Sequence, residues 1–132
     1  MNFFKNNKKG DDEMKKIILV GLVSLLSTVT MAFDVVSGCE ESDYVDGDIK
    51  SSIVTQGLSY TPKCLRIVVG SEVTIAASGH HPLAPLVSDE NNPIEESSES
   101  VTVTFDEVGV FGYKCVNHEA AGMVGAIMVV AE

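Results

Sequence analysis

The stretch Val101-Thr-Val-Thr-Phe-Asp-Glu-Val-Gly-Val-Phe-Gly-Tyr-Lys-Cys115 decides the fold. Its first five residues alternate: Val101, Val103 and Phe105 fall on one side of an extended chain, Thr102 and Thr104 on the other. That period of two marks a half-buried strand. Asp106-Glu-Val-Gly109 is turn chemistry, and an apolar, aromatic-rich run resumes at Val110, so the segment reads as two strands joined by a short turn. Beyond it, residues 123–130 are apolar on both faces, with Met123, Gly125, Ile127 and Val129 on one and Val124, Ala126, Met128 and Val130 on the other. Such a strand must be central in its sheet or covered on both sides.

Upstream, β-branched runs at 52–56, 65–69 and 72–77 are separated by Gly, Pro and Asp/Asn breaks such as Gly70-Ser71. The acidic stretch from Ser88 to Glu99 reads as a long surface loop. With 100–105, 110–114 and 123–130 these make six runs, toward a sandwich of about seven strands, and no helical period competes. The pattern predicts an all-β, two-sheet antiparallel Greek-key sandwich.

The chain has 132 residues and a net charge of −10. Met14-Lys-Lys, an apolar run from Ile17 to Leu26, and small residues before Phe33 form a secretory signal, giving residues 1–32 as signal peptide and 33–132 as the domain. Asp11, Asp12 and Glu13 do not suit a basic leader and point to Met14 as the start. Ser24, Ser27, Thr28 and Thr30 interrupt the run before it reaches the ~20 apolar residues of a membrane span. Export places the domain in the periplasm or outside the cell. The domain keeps four basic residues against sixteen acidic ones, which excludes nucleic acid as a partner and favours basic proteins.

Three cysteines in an exported protein divide naturally into one disulfide and one thiol kept for chemistry. Cys39 and Cys64 are the expected pair. Closing a loop of ~26 residues would stabilise the domain by ~3.5 kcal/mol on the chain-entropy account. Val36-Ser-Gly-Cys39 also has the form of a lipoprotein processing site, against which Asp34 and the availability of Cys64 both weigh.

That leaves Cys115-Val-Asn-His-Glu-Ala-Ala-Gly-Met123, a thiolate, an imidazole and a thioether within nine residues. Soft sulfur selects Cu(I) and imidazole suits both copper oxidation states. Two histidines, one cysteine and a weak axial methionine define an electron-transfer copper site. The second imidazole must come from His80 or His81. A Cys with a His three residues on also occurs in zinc sites, but zinc prefers donors other than a thioether. For a nucleophilic cysteine, no orienting third residue or oxyanion motif presents itself.

The segment from Phe105 to Val129, with its turn, the aromatic before the Cys, the ligand spacing and Gly-Met-x-Gly-x-Ile-x-Val, resembles the C-terminal half of plastocyanin-like cupredoxins. Tyr60-Thr-Pro-Lys-Cys-Leu-Arg-Ile-Val-Val-Gly-Ser-Glu-Val-Thr-Ile is similar to the paired strands that lead to that family's first His. The resemblance implies one copper held by His81, Cys115, His118 and axial Met123, with His81 preferred over His80 because of its His-Pro-Leu context. It implies a monomeric, non-enzymatic carrier of single electrons, leaving through His118, which Pro82, Leu83, Ala84, Pro85, Ala120 and Ala121 would ring as an apolar docking patch. Its redox partner would be a basic c-type cytochrome or an oxidase. A copper carrier or buffer delivering metal to an oxidase would use the same ligands. Two departures stand out: Pro82 occupies a position where many relatives carry Asn, and Asn117 replaces the usual Pro between Cys and His. Asn117 could supply the polar contact that Pro82 lacks, but reads first as a solvent-facing loop residue.

Overall fold

A computed structural model describes residues 34–87 and 91–132; the expected signal peptide over 1–32, with its alternative start at Met14, lies outside them. Among the described residues nine strands are formed: β1 (Val45–Asp46), β2 (Lys50–Gln56), β3 (Ser59–Thr61), β4 (Cys64–Val68), β5 (Ser71–Ile75), β6 (Leu83–Pro85), β7 (Val101–Phe105), β8 (Gly109–Cys115) and β9 (Val124–Val130). One sheet runs β1-β4-β9-β8-β6 and the other β3-β2-β5-β7. Every strand read from the sequence is present. The additions are β1, β3 and β6, each too short to show a period.

The sheets are mixed. β8 and β9 pair antiparallel, as do β5 with β7, β6 with β8 and β2 with β3. β1–β4, β2–β5 and β4–β9 are parallel. The chain crosses between sheets after β4, so strands that become neighbours need not reverse direction as hairpin partners must.

The main core forms between the sheets. Ile53, Tyr60, Val73, Ile75, Val103 and Phe105 come from one layer, and Leu65, Ile67, Leu83, Tyr113, Ile127 and Val129 from the other. Phe105 is 0% exposed, as its place in the alternating strand requires. β9 occupies the centre of its sheet and buries both faces. Its second face, Ala126 and Met128, lies under Cys39, Tyr44 and Cys64, with Val36, Val110 and Val130 packed around them. The cover is the lead-in from residue 34 to β1, joined to β4 by the Cys39–Cys64 disulfide. Ser37 Oγ–H also donates to the Gly125 carbonyl at 2.7 Å.

Gly125 stands opposite Tyr113 in the β8–β9 ladder, where a Cβ would run into the tyrosine ring. Its missing side chain lets Tyr113 lie over β9 and meet Tyr60 edge-on, ring centroids 4.8 Å apart. The acidic loop is pinned from within by Ile94, 2% exposed, and by a Leu83–Ser97 bridge.

β6 corrects one expectation. Leu83 and Ala84, placed by sequence on an exposed docking patch, are 0% and 2% exposed. Pairing of Leu83 with Cys115 and Ala84 with Lys114 draws them into the edge of the larger sheet. Pro85 is tolerated there because edge strands need not donate every amide.

Candidate metal centre

Two segments build the site. The first is the bend from Ser78 to His81, closed by reciprocal backbone hydrogen bonds of 3.1 Å between these residues and by Ser78 Oγ, which accepts from the His81 amide. Pro82 follows and leads into β6, whose register sets Leu83 opposite Cys115. His81 is thereby delivered beside the end of β8 across 34 residues of sequence.

The second segment runs from Cys115 to Met123. Cys115 is the last residue of β8, the free cysteine among the described residues, and buried. The chain then turns through a short 3-10 stretch, Glu119–Ala121, ended by Gly122 at φ 85°. A left-handed residue is needed there to redirect the backbone into β9, and glycine adopts it without a Cβ clash. The loop closes where the Cys115 amide donates to the Met123 carbonyl at 2.9 Å and the Met123 amide to the His118 carbonyl at 3.1 Å. Lys114 and Glu119 pair across its base at 2.8 Å.

The result brings Cys115 Sγ to 3.5 Å from His118 Nδ1 and 3.7 Å from His81 Nδ1. The imidazoles lie 5.0 Å apart between centroids, and the three donor atoms fall within 4.8 Å of one another. A thiolate and an imidazole held tetrahedrally on one ion, at about 2.3 and 2.0 Å, would be separated by about 3.5 Å. The observed spacings match, so the residues fit a single copper. Neither histidine is fully buried, whereas Cys115 and Met123 are 0% exposed and share the main apolar core.

Of the sequence-predicted donors, His81, Cys115 and His118 converge. Met123 is tied to Cys115 through its backbone. His80 is exposed and stands outside the cluster. Cys39 and Cys64 form the expected disulfide, with Cα atoms 5.9 Å apart.

Two features were not read from sequence. Asn117 is bonded: its Nδ2 donates to the His80 carbonyl at 3.3 Å. An exposed asparagine leaves no pattern that reveals such a partner 37 residues away. The other is Tyr60, buried by its packing on Tyr113. Burial first, and then the charge of Cys115, push its hydroxyl well above the ordinary value of 10.0. Cys115 thus lies in a poorly solvated setting, where a thiolate and the groups around it interact strongly.

The plastocyanin/azurin family of copper-binding proteins matches residues 84–130, from β6 through β9. Halocyanin from Natronomonas pharaonis is 34% identical over 80 residues, which cover 55% of this chain and 49% of that protein. The chain therefore spans about half the length of this curated relative. Among solved structures, pseudoazurin from Methylobacterium extorquens AM1 superposes with a TM-score of 0.52 at 19% identity, over 63% of this chain and 76% of that one. A Sinorhizobium pseudoazurin gives 0.50 at 26% identity, over 65% and 75%. The donor cluster lies partly within the matched segment, at Cys115 and His118, and is completed by His81 just before it. Over residues 84–130 the chain is thus similar to the plastocyanin/azurin family of copper-binding proteins, its two-sheet fold is the one seen in the pseudoazurins, and its thiol–imidazole triad is spaced for one copper.

Proposed function

We propose that this domain carries single electrons between redox proteins outside the cytoplasm, and that His81, Cys115 and His118 would hold one copper with Met123 as a fourth, weaker donor. The observation that carries the reading is the convergence of two imidazole nitrogens on one buried sulfur, from loops that the sheet register brings together. Bound copper supplies the one-electron couple between Cu(I) and Cu(II).

The chain's own residues supply the rest. β8 fixes the Cys115 sulfur, the core excludes water behind it, and the self-closed loop limits how far His118 can move between oxidation states. His118 is partly exposed, beside half-buried Pro82 and exposed Ala120 and Ala121, so its edge offers a short path to a partner. The acidic excess favours approach by a basic protein such as a c-type cytochrome. The same reading takes the domain as an exported monomer, with residues 1–32 as a cleaved leader.

The test is to add Cu(II) to the domain and record the visible spectrum. A strong copper–thiolate charge-transfer band that disappears in Cys115→Ser supports the reading. Absence of the band, or its survival in Cys115→Ser, overturns it. Rapid electron exchange with a reduced cytochrome then separates a carrier of electrons from a carrier of copper, which would instead lose its metal readily to a Cu(I) chelator.

A further inference from the structure

We propose that Asn117 is the positioning residue that clamps His81 at the metal centre, an inference that rests on the copper reading above. Besides the contact between Cys115 and His81 themselves, two hydrogen bonds cross the gap between the ligand loops, and both are donated from the Cys115–His118 side. Val116 N–H donates to the Pro82 carbonyl at 2.9 Å, and Asn117 Nδ2–H donates to the His80 carbonyl at 3.3 Å. Their acceptors are the carbonyls immediately before and after His81. The residue that must present its imidazole to Cys115 is therefore held on both flanks, while its own amide is turned back into the Ser78 bend.

The direction of donation follows from the sequence. Pro82 has no N–H and no polar side chain, so the residue after His81 can donate nothing across the gap. The opposite strand of the gap must supply the donors. Val116 gives its backbone amide, whose orientation β8 already sets. The second donor has to be a side chain, and Asn117 offers an amide NH2 on a short stem of few rotamers. A proline at 117 could not make this bond. The clamp also joins positions directly preceding the two imidazoles, since His80 precedes His81 and Asn117 precedes His118. Movement of either loop is thus transmitted to both nitrogen donors.

The bond is exposed and neutral, of a kind that contributes about 0.5–1.5 kcal/mol, equivalent to about a two- to tenfold change in a local opening equilibrium. Three variants separate a clamp from a solvated side chain: Asn117→Ala, Asn117→Asp, which keeps the shape but loses the donor, and Asn117→Gln, which keeps the donor.

Two readouts apply. In the metal-free domain, hydrogen exchange of the Val116 amide, measured by NMR, reports whether the neighbouring cross-link opens more often. In the copper-loaded domain, the rate of Cu(I) loss to a chelator reports how well His81 is held. The expected result is a two- to tenfold acceleration of both in Asn117→Ala and Asn117→Asp, with Asn117→Gln closer to the parent than either. Parental Val116 exchange in Asn117→Ala and Asn117→Asp would overturn the clamp, whatever the copper measurement shows. Because the exchange arm uses no metal, its failure is distinguishable from a failure to bind copper at all.

Discussion

The backbone amide of Cys115 donates to the carbonyl of Met123 at 2.9 Å, so the first and last residues of the ligand loop are hydrogen-bonded to each other. The buried sulfur and the buried thioether are anchored by one backbone contact, and both side chains belong to the same apolar core.

Met123→Leu is therefore expected to keep the fold, because exchange of buried residues of similar volume costs under about 1.5 kcal/mol. It should also keep the charge-transfer band, whose origin is Cys115. The reduction potential should rise, since removing a weak axial donor disfavours the more highly charged ion. Protein-film voltammetry checks this; an unchanged potential would remove Met123 from the ligand set.

Cys39→Ser with Cys64→Ser should lower stability by about 3.5 kcal/mol on the loop-closure estimate, measured as a fall in the denaturation midpoint. The copper spectrum of the molecules that remain folded should not change. The disulfide packs on the outer face of β9, in the smaller cluster that excludes Cys115 and Met123.

Gly125→Ala should destabilise by about 1–3 kcal/mol, the usual penalty for overpacking. The new methyl must displace the Tyr113 ring, and Tyr113 shares β8 with Cys115. Thermal denaturation of parent and variant measures the penalty.

Burial raises the hydroxyls of Tyr60, Tyr113 and Tyr44 above their ordinary value of 10.0, with lesser help from Cys115, Tyr60 and Asp43 respectively. A group whose pKa is raised on folding stabilises the native state fully below its unfolded pKa. As pH climbs above 10.0, the unfolded chain ionises while the folded one resists, and stability falls. Urea midpoints taken from pH 8 upward should decline above about pH 10. Tyr60→Phe should shallow the decline at little cost near neutrality, since no partner for its hydroxyl is present among the described residues.

With a basic redox partner, the second-order rate should fall as ionic strength rises, because the acidic excess steers encounter over a Debye length of about 10 Å at 0.1 M salt. Stopped-flow rates that do not vary with salt would assign partner recognition to the apolar surface beside His118 instead.

Much of this could be read from the chain because local pattern and global burial agree. Val101 to Phe105 alternates and packs one face inward. β9 is apolar throughout and lies between two covered faces. The preference for His81 over His80 rested on its Pro-Leu context; the register of Leu83 against Cys115 sets His81 beside the thiol. What remained hidden depends on contacts between distant segments. A three-residue edge strand such as β6 has no period, so Leu83 and Ala84 looked like surface. The hydrogen bond from Asn117 to His80 is invisible for the same reason, since neither residue carries a sign of the other.

The lead-in that lies across β9 has one further consequence. It is held to the larger sheet by the Cys39–Cys64 bond, a side-chain hydrogen bond from Ser37, the two-residue pairing of β1, the Arg66–Asp46 ion pair and the packing of Tyr44 and Val36. The disulfide is the covalent tie of that strap, and beneath the strap lie Ala126 and Met128. The bond between Cys39 and Cys64 is thereby a seal on the outer face of β9, set apart from the buried sulfur on the inner one.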